Sequence, residues 1–278
     1  MALDGVRRSV ALAVMIVIAG CGSGSRTGPS APSARGGTHS QTNAAAPGGE
    51  SAQSQRYVSE PFGSWGRPVL FDDFAGTRLD PRKWQVYQAP DATTHPGVAA
   101  GTHVSGGRLV LVGGLYNGKD QSAGVISRRA QTYGRWEARI RADPGAGYSA
   151  TAFLWPTHLG APEWSEIDFA EILAGNRRSG GLFIHHGQDD QQVQRTTRAD
   201  FTKWHTVAVD WLPDHITFWM DGKKTWTYRG RFIPRRSDMH LYLRNEKKNS
   251  FQRTTSTPQK VSMEVDWIRV FSAPRATH

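Results

Sequence analysis

The chain has 278 residues, a formal net charge of +10 and a sequence pI near 10.0. Its 38% hydrophobic and 21% charged residues are ordinary for a globular protein, which excludes a wholly disordered chain and a protein with many membrane spans. The single cysteine excludes an intramolecular disulfide framework and a cysteine-rich zinc site. The basic charge suits nucleic acid, a membrane surface or an acidic polymer, and it does not choose among them.

Residues 1–20 are predicted to be an export signal. Arg7 and Arg8 precede an apolar and small-residue run over 10–20, which is too short to span a bilayer. Residues 18–21 resemble the lipobox of bacterial lipoproteins, which implies that Cys21 is acylated and anchors the protein to the membrane outside the cytoplasm. The alternative is an ordinary secretory signal with a chance cysteine.

Residues 21–56 are predicted to be a flexible tether. After Cys21 the segment holds Gly, Ser, Ala, Pro, Thr and Gln with a few charged residues, and it lacks Val, Ile, Leu, Met and aromatic side chains. Such a composition does not bury enough apolar area to offset the entropy of ordering. A flexible chain of this length reaches roughly 33 Å. The folded domain is therefore expected over 57–278.

This domain is predicted to be all-β. Over 135–141 apolar and charged residues alternate, which predicts a half-buried strand. The runs 216–220 and 224–228 are joined by Asp221 and Gly222, a combination typical of a tight hairpin turn. Many short strands without a long helical period favour two antiparallel sheets packed as a β-sandwich. Further strands are expected at 108–112, 152–155, 167–173, 182–186, 205–211, 240–243 and 261–271.

One predicted strand carries three acidic residues. In a regular strand Glu166 and Asp168 face one side and Glu171 the other. A β-bulge at Phe169 or Ala170 would bring Glu171 to the face of the first two acids. Three clustered carboxylates would serve a metal or acid/base chemistry, whereas the alternative is an edge strand with solvated acids.

The same residues form an ExDxxE motif that resembles glycoside hydrolase family 16, which includes laminarinases and agarases. Further similar blocks lie in family order at 71–84, 124–141, 204–222 and 265–271. The resemblance implies a jelly-roll, concanavalin-like sandwich with a glycan cleft on its concave face. It also implies an endo-acting, retaining hydrolase of β-linked polysaccharide, of the β-1,3/1,4-glucan or galactan type.

On this resemblance Glu166 is the nucleophile, Glu171 the general acid/base, and Asp168 the neighbour that tunes the nucleophile. A retaining mechanism needs two carboxyl groups about 5–5.5 Å apart with separated pKa values. No cofactor is expected for catalysis.

Substrate contacts are predicted for Trp164, Trp155 and His185. Indole rings stack well on sugar rings, and His185 matches a family histidine that lines the cleft. Trp136 alternates with core residues and is expected in the core. His185 and His186 project to opposite faces, which argues against a catalytic metal.

Asp73 and Asp266 resemble positions near a structural calcium site of many family members, and oxygen ligands suit that ion. The alternative for both residues is ordinary turn and strand polarity.

The sequence departs from the family at two places. Residues 148–153 replace a run with a cleft-wall tryptophan, and the basic segment 244–249 replaces an asparagine followed by glycines. Both changes argue against a plain β-1,3-glucan substrate. The positive charge suits an anionic glycan or an acidic envelope equally.

Three further function classes compete with hydrolysis by a monomeric enzyme. A transglycosylase acting on cell-envelope glycan would share the covalent intermediate. A non-catalytic glycan-binding lipoprotein would not need all three acids. Nucleic-acid binding is disfavoured by export and by the lack of a basic stripe with stacking aromatics.

Overall fold

The structure, a computed structural model, describes residues 65–158, 164–235, 237–248 and 250–274. The predicted export signal and tether, including Cys21, lie outside the described residues. Sixteen strands and one short 3-10 turn, Ala99–Gly101, occur in the described part of the chain, and the fold is all-β as predicted. No helix in these ranges is both long enough and apolar enough to cross a membrane. The strands are β1 Leu70–Asp72, β2 Trp84–Val86, β3 Thr102–Val104, β4 Leu109–Tyr116, β5 Lys119–Gln121, β6 Ala123–Gln131, β7 Gly134–Ala142, β8 Tyr148–Pro156, β9 Ser165–Ile172, β10 Ser179–His186, β11 Gln191–Arg198, β12 His205–Trp211, β13 Ile216–Met220, β14 Lys223–Tyr228, β15 Met239–Lys247 and β16 Lys260–Ser272.

The strands form two antiparallel sheets. The larger sheet has the order β14-β13-β12-β7-β16-β4-β3, with β1 paired to β16 and β5 to β4. The smaller sheet has seven strands in the order β11-β10-β9-β8-β15-β6-β2. The predicted β-sandwich is confirmed. The acid-bearing strand β9 lies inside the smaller sheet, between β8 and β10, and it is not an edge strand.

The hydrophobic core lies between the two sheets and draws on alternating positions of each strand. In β7 the residues Trp136, Ala138 and Ile140 belong to the core, and Trp136 stacks on Trp211 with 6.0 Å between ring centroids. Trp136 is 2% exposed, so its predicted core position is confirmed.

The outer face of β7 differs from the half-buried strand that the sequence predicts. Glu137 is fully buried there because it pairs with Arg135 at 2.7 Å and with Arg269 of β16 at 3.0 Å. Arg135 also pairs with Asp210 of β12. The charged side chains therefore satisfy one another across three strands, and this part of the sheet is buried on both faces.

The predicted hairpin at Asp221 and Gly222 is confirmed. Both residues have positive φ, 50° and 73°, as a two-residue type I′ turn requires. The turn joins β13 to β14 at the edge of the larger sheet.

Candidate active site

The three predicted acids share one face because β9 carries a bulge. Between Asp168 and Ala170 the strand β9 advances two residues while β8 advances one, and the pairing with β10 shifts in the same interval. Phe169 and Ala170 are consecutive, yet both belong to the core. The extra residue turns Glu171 back to the face of Glu166 and Asp168, so the predicted bulge is confirmed.

The acids interact strongly with one another. Burial, and then the Asp168 carboxylate, raise the pKa of Glu166 well above its usual value. Burial, followed by the carboxylates of Asp168 and Glu246, raises the pKa of Glu171 to about 8. Glu171 is therefore protonated at neutral pH, and Glu166 is linked to Asp168 by a side-chain hydrogen bond.

His185 on the neighbouring strand β10 supplies a positive charge to this pair. Its Nε2 lies 3.2 Å from Asp168 Oδ2, and its Nδ1 lies 2.7 Å from Asp190 Oδ1. Burial lowers the pKa of His185, but the hydrogen bonds with the two carboxylates raise it to about 11. Both ring nitrogens then donate, so the ring is fixed between two carboxylates as a cation.

Glu166, Asp168 and His185 also form a group whose ligand atoms lie within 4.8 Å of one another. A metal ion would need a lone pair from His185, and neither nitrogen of the doubly hydrogen-bonded, protonated ring offers one. His186 contacts Ser165 and stacks on Phe232, so the two adjacent histidines do lie on opposite faces. The donor set suits an acid/base site better than a metal site.

Trp155 and Trp164 lie beside the acids and contact each other edge to face, with ring centroids 5.3 Å apart. Trp164 also meets His185 at 6.4 Å. Trp164 is only 5% exposed, whereas Trp155 is half-buried. Trp155 is thus the more accessible of the two rings, and stacking on a sugar stays a prediction for both.

A second group of charged residues in the cleft was not predicted from the sequence as part of the site. Glu246 of β15 pairs with His95 and with Arg244, whose Nη2 lies 3.3 Å away. Burial raises the pKa of Glu246, but Arg244 and His95 together hold it below its usual value. Glu246 is thus an anion, and its charge raises the pKa of Glu166 and of Glu171. The alternation of β15 beyond Leu243 is the sequence signal that places these residues on the cleft face.

Asp73 and Asp266, the residues predicted near calcium, are both buried. Asp266 forms an ion pair with Arg139, and Asp73 accepts the backbone amide of Ala75 at 3.3 Å. Among the described residues neither acid belongs to a cluster of three metal-ligating side chains. A guanidinium on Asp266 does not fit a cation at the same carboxylate, and the calcium site stays a prediction.

Comparison with known sequences matches this chain to glycosyl hydrolases. The family described as "Glycosyl hydrolases family 16" matches residues 100–269. A probable xyloglucan endotransglucosylase/hydrolase of Arabidopsis thaliana is 32% identical over 152 residues, covering 49% of this chain and 48% of the plant protein. A β-glucanase of Acetivibrio thermocellus is 27% identical over 201 residues, covering 66% of this chain and 53% of the relative. The chain thus spans about half the length of these curated relatives.

Solved structures share the fold. The catalytic domain of a laminarinase from Thermotoga petrophila superposes with a TM-score of 0.65 at 18% identity, covering 75% of this chain and 98% of the other. A structure from work on endo-acting O-glycanases of the human gut microbiota gives 0.64 at 22% identity, with 75% and 100% covered. At these identities the likeness concerns the fold.

Proposed function

The chain belongs to glycoside hydrolase family 16, and from this we infer that it is a retaining, endo-acting hydrolase of β-linked polysaccharide. The observation that carries the proposal is the bulge in β9, which gathers Glu166, Asp168 and Glu171 on one face beside a protonated His185. A glycan-binding protein needs no such arrangement of buried acids, whose mutual repulsion disfavours folding.

In the first step Glu166 attacks the anomeric carbon as a carboxylate, and the glycosidic C–O bond breaks. Glu171, protonated at neutral pH, donates its proton to the departing oxygen. Asp168, which is linked to Glu166 by a side-chain hydrogen bond, holds the attacking carboxylate in position. This step leaves a covalent glycosyl ester on Glu166.

In the second step water attacks the same carbon. Glu171 now accepts a proton from that water, the ester bond breaks, and Glu166 is released as a carboxylate. The two inversions at the anomeric carbon give net retention of configuration.

Transglycosylation is the second candidate. A sugar hydroxyl would replace water as the acceptor in the second step, with the same residues in the same roles. The observation that favours it is the 32% identity with a probable xyloglucan endotransglucosylase/hydrolase. Products longer than the starting oligosaccharide would identify this reaction.

We further propose that the enzyme acts outside the cytoplasm, held to the membrane by a lipid on Cys21 and a tether over 22–56. The sequence pattern of 18–21 and the composition of the tether support this placement.

Product release from a panel of neutral and anionic polysaccharides tests the proposed function. The protein is compared with Glu166→Gln and with Glu264→Gln, a matched control that removes an acid from the larger sheet. We expect cleavage of at least one polymer by the unmodified and control proteins, and loss of cleavage on Glu166→Gln. Full activity of Glu166→Gln would refute the nucleophile assignment. Retardation of one polymer in an affinity gel without cleavage would instead indicate a glycan-binding protein.

A further inference from the structure

Arg244 lies on the face of the smaller sheet that carries the three acids, level with the proposed acid/base. On β15 the residues Leu241 and Leu243 belong to the core, so Tyr242, Arg244 and Glu246 face the other side. Across the sheet Arg244 is paired with Thr151 of β8, which in turn is paired with Glu171 of β9. Neighbouring strands are about 4.8 Å apart, so Arg244 lies roughly two strand spacings from Glu171.

The Arg244 side chain is packed between neighbouring residues. A Cβ at Gly124 of β6 would lie 2.6 Å from Arg244 Cγ, so the glycine leaves the space that the aliphatic stem occupies. The guanidinium lies over the ring of Tyr87 at 4.5 Å from its centroid and over Phe153 at 5.9 Å. Aromatic faces stabilise a cation in such positions. Packing therefore fixes the position of the positively charged guanidinium.

The protein supplies fewer acceptors than this guanidinium requires. The Arg244 side chain is only 9% exposed, and its Nε and Nη2 are enclosed without a hydrogen bond to any described residue. Its one carboxylate neighbour at ion-pair distance is Glu246, at 3.3 Å, and Glu246 is shared with His95. Nη1 is the nitrogen that remains open to the cleft. A ligand cannot reach the two enclosed nitrogens, so Nη1 is the donor that an anion could complete with a charge-assisted hydrogen bond.

The surroundings of Arg244 add positive charge. Lys248 follows the end of β15, and its charge lowers the pKa of Glu171. Arg244 and Lys248 thus both contribute positive charge near the acids, and Arg244 is the buried one of the two. Neutral sugar hydroxyls do not require such a group, whereas an anionic substituent does.

We propose that Arg244 determines specificity for a glycan that carries an anionic substituent, a carboxylate or a sulfate ester, on a sugar bound next to Glu171. This inference rests on the proposed function, because it takes Glu171 to lie at the scissile bond. The bound anion would accept a hydrogen bond from Nη1, the guanidinium nitrogen that is not enclosed.

The test uses polymers that differ only in charge. A neutral β-glucan is compared with the same glucan oxidised at C6 to the uronic acid and with the same glucan sulfated to an equal degree. Binding is measured by affinity electrophoresis in the inactive Glu166→Gln background, and cleavage is measured as kcat/KM in the active protein. The first variant is Arg244→Met, which keeps an unbranched aliphatic side chain without the charge. The second is Arg244→Lys, which keeps the charge without the planar guanidinium. Arg67→Gln is the matched control, since Arg67 is exposed and precedes β1 of the larger sheet.

We expect the unmodified protein to favour one charged polymer over the neutral one by about tenfold or more, the usual gain from a charge-assisted hydrogen bond. Arg244→Met should abolish that preference, Arg244→Lys should weaken it, and Arg67→Gln should retain it. The carboxylated and sulfated polymers identify which anion is bound.

Equal binding and cleavage of neutral and charged polymers by the unmodified protein would overturn the inference. So would an equal loss on all polymers in Arg244→Met, since that pattern indicates a structural role. If no polymer is cleaved but a charged one is retarded through Arg244, the proposed hydrolysis fails while the anion site stands.

Discussion

The proton on Glu171 sets the pH range of the reaction. Burial and two neighbouring carboxylates raise the pKa of Glu171 to about 8, so the residue is an acid below that pH and loses its proton above it. We therefore predict that kcat/KM falls as pH rises through about 8, the basic limb of a bell-shaped profile. Activity that keeps rising beyond pH 9 would contradict this role. In Glu171→Gln the basic limb should disappear together with most of the activity on polymers with poor leaving groups.

His185 controls the acidic limb of the same profile. Its charge lowers the pKa of both Glu166 and Glu171, so His185→Gln is expected to move the acidic limb to higher pH. On the acidic side of the optimum kcat/KM should fall by about tenfold for each pKa unit by which the limb moves. The control is His205→Gln, because His205 pairs with Asp221 on the larger sheet. An unshifted limb in His185→Gln would show that the histidine only fills space.

The contribution of His185 to stability has a definite sign. Its pKa is about 11 in the folded protein and near 6.5 when unfolded. The stabilisation is fully present below pH 6.5 and is lost as pH rises through 11.

At the residue scale the sequence predicts the three acids, His185 and Trp155, because motif and strand alternation place them. It does not predict the second charged group of Arg244, Glu246 and His95. His95 lies in a loop far from β15 in sequence, and only the folded chain brings it to Glu246. Asp190, the second carboxylate on His185, is missed because it lies in the turn after β10.

At the scale of elements, the structure contains the strands that were predicted from alternating apolar and polar residues. The strands that were not predicted lack this alternation. β11 reads QQVQRTTR and is mostly exposed at the edge of its sheet, so no hydrophobic face marks it. β1, β2, β3 and β5 have three residues each, too few to show a period. In β6 the arginines interrupt the apolar run.

The bulge in β9 was predictable on the hypothesis that the three acids act together. Two acids on one face and a third at odd spacing give a common face only if one residue is extra. The consecutive core positions of Phe169 and Ala170 are its structural consequence.

The hairpin turn offers a test of local geometry. Gly222 has a φ of 73°, which costs an L-residue about 1–2 kcal/mol. Gly222→Ala should therefore lower the melting temperature by roughly 2–8 °C for a domain of this size. The matched control is Gly76→Ala, where an added Cβ meets only ordinary contacts at 3.8 Å, so little change or a small gain is expected. Equal effects at both glycines would contradict this interpretation of the turn.

At the scale of the whole molecule, the chain combines a folded domain with a long polar segment behind a single cysteine. We predict that Cys21→Ala abolishes incorporation of labelled fatty acid and moves the protein from the membrane fraction to the soluble extracytoplasmic fraction. An acyl chain is what would hold the tether at the membrane. Absence of label in the unmodified protein, with no change of fraction on substitution, would indicate an ordinary secretory signal.

The net charge of +10 has a local counterpart in the cleft. Arg244 lies on the face of the sheet that carries the acids, and Lys248 places positive charge near the proposed acid/base.

The configuration of the first product tests the central claim most directly. A polymer found to be cleaved is incubated with the enzyme in an NMR tube, and the anomeric signals of the new reducing end are followed before mutarotation. We predict that the β-anomer appears first, because Glu166 and Glu171 act by double displacement. First appearance of the α-anomer would mean inversion, and it would contradict the assignment of Glu166 as a covalent nucleophile.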